Sequence, residues 1–550
     1  MKKDVTMKKS NFVKGAFITT IGIIISKILG ILYVVPFHAV IGEKGGALYG
    51  YAYTIYTIFM SIATAGIPLA ISKIVSEYQT LGYYNAKKKV FQLGKKVSFL
   101  LGFICFVIIF LFAPVLAKAV LGDVTGGNTI EDVTFVIRVI GTAILIVPTL
   151  SIYRGFFEGH RFMGPPSISQ VLEQLVRVII IIFGSFMALK VFGLSLANSV
   201  GIALFGATAG AFVSYFYLVE KKWKNKSKFN EKIRPVNEPF ISDKVIFKKI
   251  LIYSVPFIMI DIFKSFYNAI DMVTVVKGLV RYASFSTGDA ETIYAMLSTW
   301  SNKFNMIVLA ISTGVIVSLI PNLTESIVRN DSNEIQKKIT QALSILLYIT
   351  IPLTLGISFL AKPIWMLFYG PSVYGSSVLS YYIFAGFFIG LFTATVTIIQ
   401  TMKDYKAVFI SLLIGVIFKA IFNNRLMLAF YQMGGPSYYG VITASIIGYL
   451  LSFIYSIIIL HVRYHISFET VIKNFIDILC GSVLMILALT IIKLVIPITS
   501  PSRIMNFIFI LFYGVVGMIV YFVYAHYNHL TIKVFGKNLF QTIQKIILRK

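Results

Sequence analysis

The sequence predicts an all-α polytopic membrane protein: about fourteen transmembrane helices, arranged as two pseudo-symmetric six-helix lobes plus two C-terminal helices. Three observations predict this. The 550 residues are 57% hydrophobic and only 13% charged, with a mean hydropathy of +0.84, whereas a soluble chain carries about 25% charged residues. Apolar runs repeatedly reach the roughly 20 residues that cross a bilayer as a helix, without the strict alternation of a transmembrane barrel. Finally, two motif intervals in the first half recur, in the same order, in the second.

The spans are predicted near 12–41, 49–77, 90–117, 133–153, 167–189 and 194–218, then 250–280, 291–320, 339–361, 373–401, 407–429 and 437–460, and finally 475–497 and 504–526. The first follows a basic N-terminus, but no small-residue cleavage site follows the apolar run, which exceeds a signal-peptide core; it reads as retained. Between the sixth and seventh spans lies the long polar connector Glu220–Lys249, rich in Lys and carrying Pro235 and Pro239. The expected divisions are therefore 1–219, a basic linker 220–249, 250–461, the pair of spans within 462–527, and a tail 528–550. In that tail Leu530, Val534, Phe535, Leu539, Phe540, Ile543, Ile546 and Ile547 interleave with lysines. It reads as an amphipathic helix lying on a leaflet of anionic membrane lipids.

The net charge of +28 follows topology rather than nucleic-acid binding. Lys2, Lys3, Lys8, Lys9 and Lys14, then Lys87, Lys88 and Lys89, then Lys221 through Arg234, then the tail lysines, all fall on one side of the predicted membrane. The opposite loops keep scattered cases such as Lys44, Lys190, Arg281 and Lys362. This asymmetry places both termini in the cytoplasm. Cys105 and Cys480 both lie inside spans, and the six histidines show no zinc-motif spacing, so neither a disulfide framework nor a metal site is expected.

The duplication rests on spacing. Thr64-Ala65-Gly66-Ile67-Pro68 leads to Ser76-Glu77 in span two, and Ser312-Thr313-Gly314-Val315 leads to Thr324-Glu325 in span eight. Gly66 to Glu77 equals Gly314 to Glu325, and Glu77 to Gly122 equals Glu325 to Gly370. Both copies start on the same side, so the repeats are parallel and a substrate path between the lobes is expected. Pro68 and Pro256 are expected to interrupt helices, and Gly66 and Gly314 to admit close backbone approach, for packing or for gating.

Three lysines, Lys27, Lys264 and Lys303, lie deep in apolar spans. A charge at the bilayer centre costs at least ~2.5–3.5 kcal/mol and usually faces a bundle interior or a wet cavity. Lys27 and Lys303 each sit about a dozen residues into their spans, ~18 Å at 1.5 Å per residue, near the midplane of a ~30 Å core. They come from opposite sides and opposite repeats. Lysine binds phosphate as a point charge, so the group predicts a cationic, anion-accepting cavity. For Lys264 a local ion pair with Asp261, three residues earlier, is the competing reading. Lys73 in span two either joins the cavity or snorkels to the interface.

The segment Arg154-Gly155-Phe156-Phe157-Glu158-Gly159-His160-Arg161-Phe162-Met163-Gly164-Pro165-Pro166, followed by Ser169-Gln170-Val171-Leu172-Glu173-Gln174-Leu175-Val176-Arg177, resembles the span-four to span-five signature of the polysaccharide-export branch of the multidrug/oligosaccharidyl-lipid/polysaccharide (MOP) flippases. Gly66-Ile67-Pro68 with Ser72-Lys73 and Ser76-Glu77 resembles that branch's span-two motif. Fourteen spans look like its MurJ-type lipid II flippases. The resemblance implies a two-lobed transporter that moves an undecaprenyl-diphosphate-linked peptidoglycan precursor from the inner to the outer leaflet. It also implies basic residues of spans one, two and eight on the diphosphate. Ser26-Lys27-Ile28-Leu29-Gly30 and Asn302-Lys303-Phe304 match the span-one and span-eight positions, with Lys where Arg is more familiar. Lys lacks the bidentate fork of Arg. Some relatives bind sodium between spans seven, eleven and twelve; Asp271 and Asn423 are the nearest candidates here, although Lys419 nearby disfavours a cation.

Two polar pairs share i, i+4 spacing: Glu173 with Arg177, a structural bridge or a substrate contact, and Arg154 with Glu158, a hinge or gate lock. Competing functions are another lipid-linked polysaccharide flippase and a MATE-like drug/cation antiporter, which would need an intramembrane carboxylate such as Asp261 or Asp271. An integral-membrane glycosyltransferase would normally need acidic residues in a sizeable outer loop, and the outer loops are short. No GxxxxGK[ST] motif occurs, so an Na+ or H+ gradient, the membrane potential or the substrate gradient is expected to drive transport. The expected partners are the lipid-linked precursor, anionic lipids and cell-wall synthesis proteins.

Overall fold

The computed structural model describes residues 25–535 apart from 27, 28, 31, 65, 123–125 and 231–237. Lys27, the linker residues Lys232, Arg234 and Pro235, and the tail beyond Phe535 lie outside the described residues. Those described form helices and connecting loops, with no strand among them. By contact they divide into two compact units. One comprises the residues up to Lys277 together with Ser286–Ala295; the other comprises Gly278–Phe285 and Met296 onward.

The first unit begins with α1 (Val34–Thr64), which is two helices joined at Gly42, whose φ of 63° only glycine adopts without strain. The segment before Gly42 belongs to the expected first span and the segment after it to the second. The second span continues as α2 (Ile67–Leu81) after a break at Gly66. Gly66 has φ 71°, and a side chain there would meet the Ser254 carbonyl oxygen at 2.7 Å. Both the turn and the approach of the later helix α9 (Asp243–Ala283) therefore require glycine. Pro68 then sits in the first turn, where its missing N–H costs nothing. Pro256, by contrast, does not interrupt a helix, because α9 runs unbroken from Asp243 to Ala283; membrane helices tolerate proline when neighbours satisfy the freed carbonyl.

Helix α3 (Tyr84–Leu121) buries Gly102, Cys105 and Ile109 while Phe99, Leu100, Phe103 and Ile104 are exposed. That apolar outer face is what hydrocarbon covers. The expected fourth span is two pieces. Helix α4 (Ile130–Gly141) starts with a capping box between Thr129 and Asp132; a 3-10 turn follows, and α5 (Val147–Gly159) resumes with Pro148 in its first turn. Helix α6 (Gly164–Ile179) passes into π-helical turns at Ile180–Gly184 and Met187–Val191. Helix α7 (Leu196–Lys224) is capped by Ser195 and ends in Lys221, Lys222 and Lys224, charges that suit a helix C-terminus. The short α8 (Lys226–Asn230) and the first part of α9 complete this unit, with α10 (Thr287–Ala295) packed on α1. Its core joins Ile71, Ile74, Val90, Phe91, Leu150 and Phe157 from α2, α3 and α5.

In the second unit a π turn at Met296–Trp300 leads into α11 (Asn302–Val328) and α12 (Ser332–Phe359). Then come α13 (Ala361–Phe368), α14 (Gly375–Thr401), α15 (Tyr405–Gln432) and α16 (Tyr438–Tyr464). Helices α15 and α16 pack so closely that a side chain at Gly440 would meet the Met427 amide nitrogen at 2.4 Å. Ser411 Oγ donates to the Ser452 carbonyl at 2.9 Å, and Ser452 Oγ donates back to the Ser411 carbonyl at 2.7 Å. Helices α17 (Glu469–Lys493) and α18 (Arg503–Tyr527) follow as the expected last pair. Asn474 Nδ2 donates to Ser344 Oγ of α12 at 3.0 Å, and Tyr521 Oη donates to the Tyr348 carbonyl at 3.0 Å. Only the first turns of the expected amphipathic tail are described, as α19 (Leu530–Phe535).

Among the described residues, twelve helical segments are long and apolar enough to span a membrane. Counting the segment before Gly42 apart from the one after it, and adding the 41-residue α9, accommodates the fourteen spans expected.

Candidate functional site

A buried polar cluster inside the first unit joins α5 to α6. Arg154 Nη2 donates to Glu173 Oε2 at 2.8 Å, and Arg177 Nη2 donates to Glu173 Oε1 at 2.9 Å. Arg154 Nε also donates to Ser169 Oγ at 2.9 Å. All three charged side chains are less than a fifth exposed. The Glu173–Arg177 pair forms as its spacing predicts. The hydrogen-bonded carboxylate of Arg154, however, is Glu173 across the helix hairpin. Glu158, the i+4 neighbour, acts on Arg154 only through its charge. The physical reason is that Glu173 offers two oxygens facing α5 and α6 at once, and a second guanidinium shares its desolvation. Two guanidiniums thus share one hydrogen-bonded carboxylate, with the Glu158 carboxylate near enough for its charge to act on Arg154. Gly30 of the first span lies against the amide of Gln174, next to Glu173 in sequence.

A second group lies at the far end of α2. Lys73 is exposed and its ammonium sits 4.0 Å from the centre of the Tyr253 ring of α9. One turn on, Lys249 Nζ donates to Glu77 Oε1 at 2.6 Å. Together with the 3.3 Å contact of Ser61 and Ser265, these tie α9 to α1 and α2. Lys73 thus has the aromatic neighbour and the exposure that snorkelling requires.

Further along α9, Lys264 is half-buried and feels the charge of exposed Asp261 one turn before it. Asp271, on the same helix, belongs to the first unit, as Lys264 does. Lys303 and Asn423 belong to the second, Lys303 in the first turn of α11 and Asn423 fully buried in α15. One turn before Asn423, Lys419 is also buried and donates to Ser445 Oγ of α16. Its burial puts an ammonium one turn from Asn423 in the second unit's core.

One buried carboxylate escaped the sequence reading. Glu291 of α10 is 1% exposed and accepts from the Asn128 backbone N–H at 3.0 Å and from Asn128 Nδ2 at 2.9 Å. Asn128 Nδ2 also donates to the Lys44 carbonyl at 3.2 Å, so the loop before α4 joins α1 to α10 there. In the sequence it stands at the first position of the eighth predicted span, two residues after Asp289.

Comparison with known proteins adds a separate line. Residues 12–326 match the polysaccharide biosynthesis protein family. The chain is 34% identical to the lipid II flippase MurJ of Bacillus subtilis (strain 168) over 496 residues, 88% of this chain and 89% of that protein. Among solved structures, an inward closed conformation of a lipid II flippase MurJ aligns with a TM-score of 0.69 at 16% identity, over 94% of this chain and 99% of that one. An inward-facing MATE multidrug resistance transporter of the MOP superfamily aligns with a TM-score of 0.60 at 13% identity, over 81% of this chain and 98% of that one. At such identities the structural likenesses are likenesses of fold.

Proposed function

The chain belongs to the polysaccharide biosynthesis protein family and, within it, to the MurJ-type lipid II flippases, and on that premise we propose that it flips lipid II from the inner to the outer leaflet by alternating access. It is a transporter rather than an enzyme, and a multi-pass protein of the bacterial membrane. The observation that carries the reading is identity to a named lipid II flippase along nearly the whole chain.

The diphosphate of the carrier lipid is the group the protein must move across hydrocarbon. Lys27, Lys264 and Lys303 supply point charges in a central cationic cavity, and Lys73 receives the headgroup at the cytoplasmic end. Binding the diphosphate offsets the mutual repulsion of the lysines, so occupancy by substrate stabilises a cluster that is costly when empty. The Arg154–Glu173–Arg177 clamp holds α5 on α6. Asp271 and Asn423 are the residues on which a coupling Na+ or H+ would act, with the ammonium of Lys419 competing for the same polar surroundings. Both termini face the cytoplasm, and the basic tail holds to anionic lipids. Rocking of the lobes opens one side at a time.

The test is replacement of the resident flippase. Cells depleted of their own lipid II flippase and expressing this chain should grow and should expose labelled lipid II on the outer leaflet. Growth failure at normal membrane levels, with lipid II held on the cytoplasmic face, would remove the proposal. Accumulation of a different lipid-linked precursor when this protein is depleted from its own cell would point to a polysaccharide flippase instead.

A further inference from the structure

The first unit carries two contiguous cavities away from the lysines assigned to the diphosphate. They lie where the basic ends of α3 and α7 meet α5 and α8. One, of about 500 Å³, is lined by Lys87, Lys88, Phe91, Lys222, Trp223 and Lys226, among others. The other, of about 720 Å³, shares Lys88, Phe91 and Lys222 and adds Lys95, Lys96 and Phe99.

Lys87 is accounted for. It is buried, and its ammonium donates to Gln79 Oε1 at 2.5 Å and to the Phe229 carbonyl at 2.9 Å. The others differ. Lys222 Nζ stands 3.8 Å from the centre of the Phe91 ring, and Lys95 Nζ lies 5.6 Å from that of Tyr153, so both ammoniums hang over the same aromatic floor. Lys88 and Lys95 are close enough for their charges to act on Lys222. The neighbouring carboxylates are engaged elsewhere. Glu238 accepts from the Asn85 and Ala86 backbone N–H groups at 2.9 and 2.6 Å, and Glu220 is bonded by Lys224. Among the described residues no carboxylate forms an ion pair with Lys88, Lys95 or Lys222. Three ammoniums held together without an anion repel one another; an anion of two or more acceptor oxygens is the complement this geometry lacks.

The second cavity also adjoins an exposed apolar face. Lys96 and Phe99 lead directly into the exposed apolar face of α3, with Phe99 56%, Leu100 57% and Phe103 47% exposed. Trp223, 74% exposed at the rim, is the residue type that settles at the headgroup level. A cationic pocket continuous with an apolar wall fits an amphiphile whose head is anionic and whose tails run along the wall.

We propose that these joined cavities form a binding site for the phosphate headgroup of an anionic phospholipid of the surrounding bilayer, held by Lys88, Lys95 and Lys222, with its acyl chains against Phe99 and Phe103. The occupant is a bulk membrane lipid and not the transported precursor, because the site opens on the outer face of α3.

Trp223 gives a local readout, since Trp300 and Trp365 are buried. The full-length protein is reconstituted in phosphatidylcholine vesicles doped with brominated phosphatidylglycerol or brominated phosphatidylcholine, and quenching of the accessible tryptophan is followed. Brominated phosphatidylglycerol should reach half-maximal quenching at a mole fraction about tenfold lower than brominated phosphatidylcholine. Unlabelled phosphatidylglycerol should relieve it, and millimolar inorganic phosphate should not. In the Lys88→Gln/Lys95→Gln/Lys222→Gln variant the two lipids should quench alike, while the Arg replacements at the same positions should keep the preference. Equal quenching by both lipids in the unmodified protein overturns the proposal without any variant. Relief by inorganic phosphate overturns the lipid source in favour of a soluble anion. A preference that persists in a folded triple Gln variant overturns the assignment to these lysines.

Discussion

Replacing Glu173 with Gln removes the one anion that two buried guanidiniums share. Breaking a buried ion pair by deleting one partner costs about 3–5 kcal/mol, because the remaining charge stays desolvated. Here two cations remain, Arg154 and Arg177, at 16% and 18% exposure, and they face each other across the vacated site. The amide of Gln still accepts one hydrogen bond, so the lower end of that range applies, about 3 kcal/mol. Unfolding of 550 residues carries an entropy of about 1.2 kcal/mol/K, so thermal unfolding of the detergent-purified protein should shift down by roughly 2–3 °C. A triple variant, Arg154→Met/Glu173→Leu/Arg177→Met, removes all charge at once and should recover most of the loss, because well-packed apolar replacements of buried ion clusters are often neutral or better. Transport then separates the roles. If the clamp is structural, the triple variant transports; if the arginines also touch the diphosphate, it melts like the wild type and does not transport. A Glu173→Gln protein that melts at the wild-type temperature refutes the burial argument.

Lys303→Ala and Lys27→Ala should each abolish complementation at normal membrane levels, with Arg restoring part of it; full growth of both Ala variants would remove the cationic-cavity proposal. A cysteine near Lys226 should react only with membrane-permeant thiol reagents and one near Thr287 should react from outside, and the reverse pattern would invert the orientation. Cysteines in the loops of Gly42 and Ser286, joined by a short cross-linker, should stop flipping until the link is cleaved; unimpaired flipping by quantitatively linked protein would favour a fixed groove over rocking. His160, in the loop between α5 and α6, donates from Nδ1 to the Phe156 carbonyl at 2.8 Å. Burial, with help from Lys87 and Lys222, pushes its pKa down to about 4. The neutral ring is therefore the native form. Its contribution is complete above the unfolded pKa near 6.5 and is lost as pH falls towards 4, by about 3 kcal/mol in all. Melting curves between pH 7.5 and 4.5 should show this fall, and a His160→Gln variant should flatten it; an unchanged slope would rule His160 out.

What could be read in advance follows from the reach of each signal. Span positions are local sums of apolar residues, so α14, α16, α17 and α18 were legible from composition alone. Helix α9 was legible as well, because its charges sit on turns between apolar residues. The break at Gly66 announced itself through Gly-Ile-Pro, whereas Pro256 gave the same signal over a helix that continues. Polar partners were the weak point. Spacing along one helix reveals Glu173 with Arg177, but Arg154 with Glu173 depends on how the α5–α6 hairpin closes. The pairing of Glu77 with Lys249 spans 172 positions and that of Asn128 with Glu291 spans 163. Nothing in one sequence orders such distant residues, and only the packed backbone brings them together.

The reciprocal serine bonds between α15 and α16 carry a mechanical consequence. Each hydroxyl reaches a carbonyl that the other helix has already committed to its own ladder, and neither bond involves a charge. Salt, pH and lipid headgroup leave such a joint untouched, while any axial slip of one helix along the other breaks both bonds at once. With the Gly440 contact fixing the spacing, the two helices should behave as a single stiff beam. Motion delivered at one end arrives at the other undiminished, and whatever bends during the transport cycle must bend elsewhere.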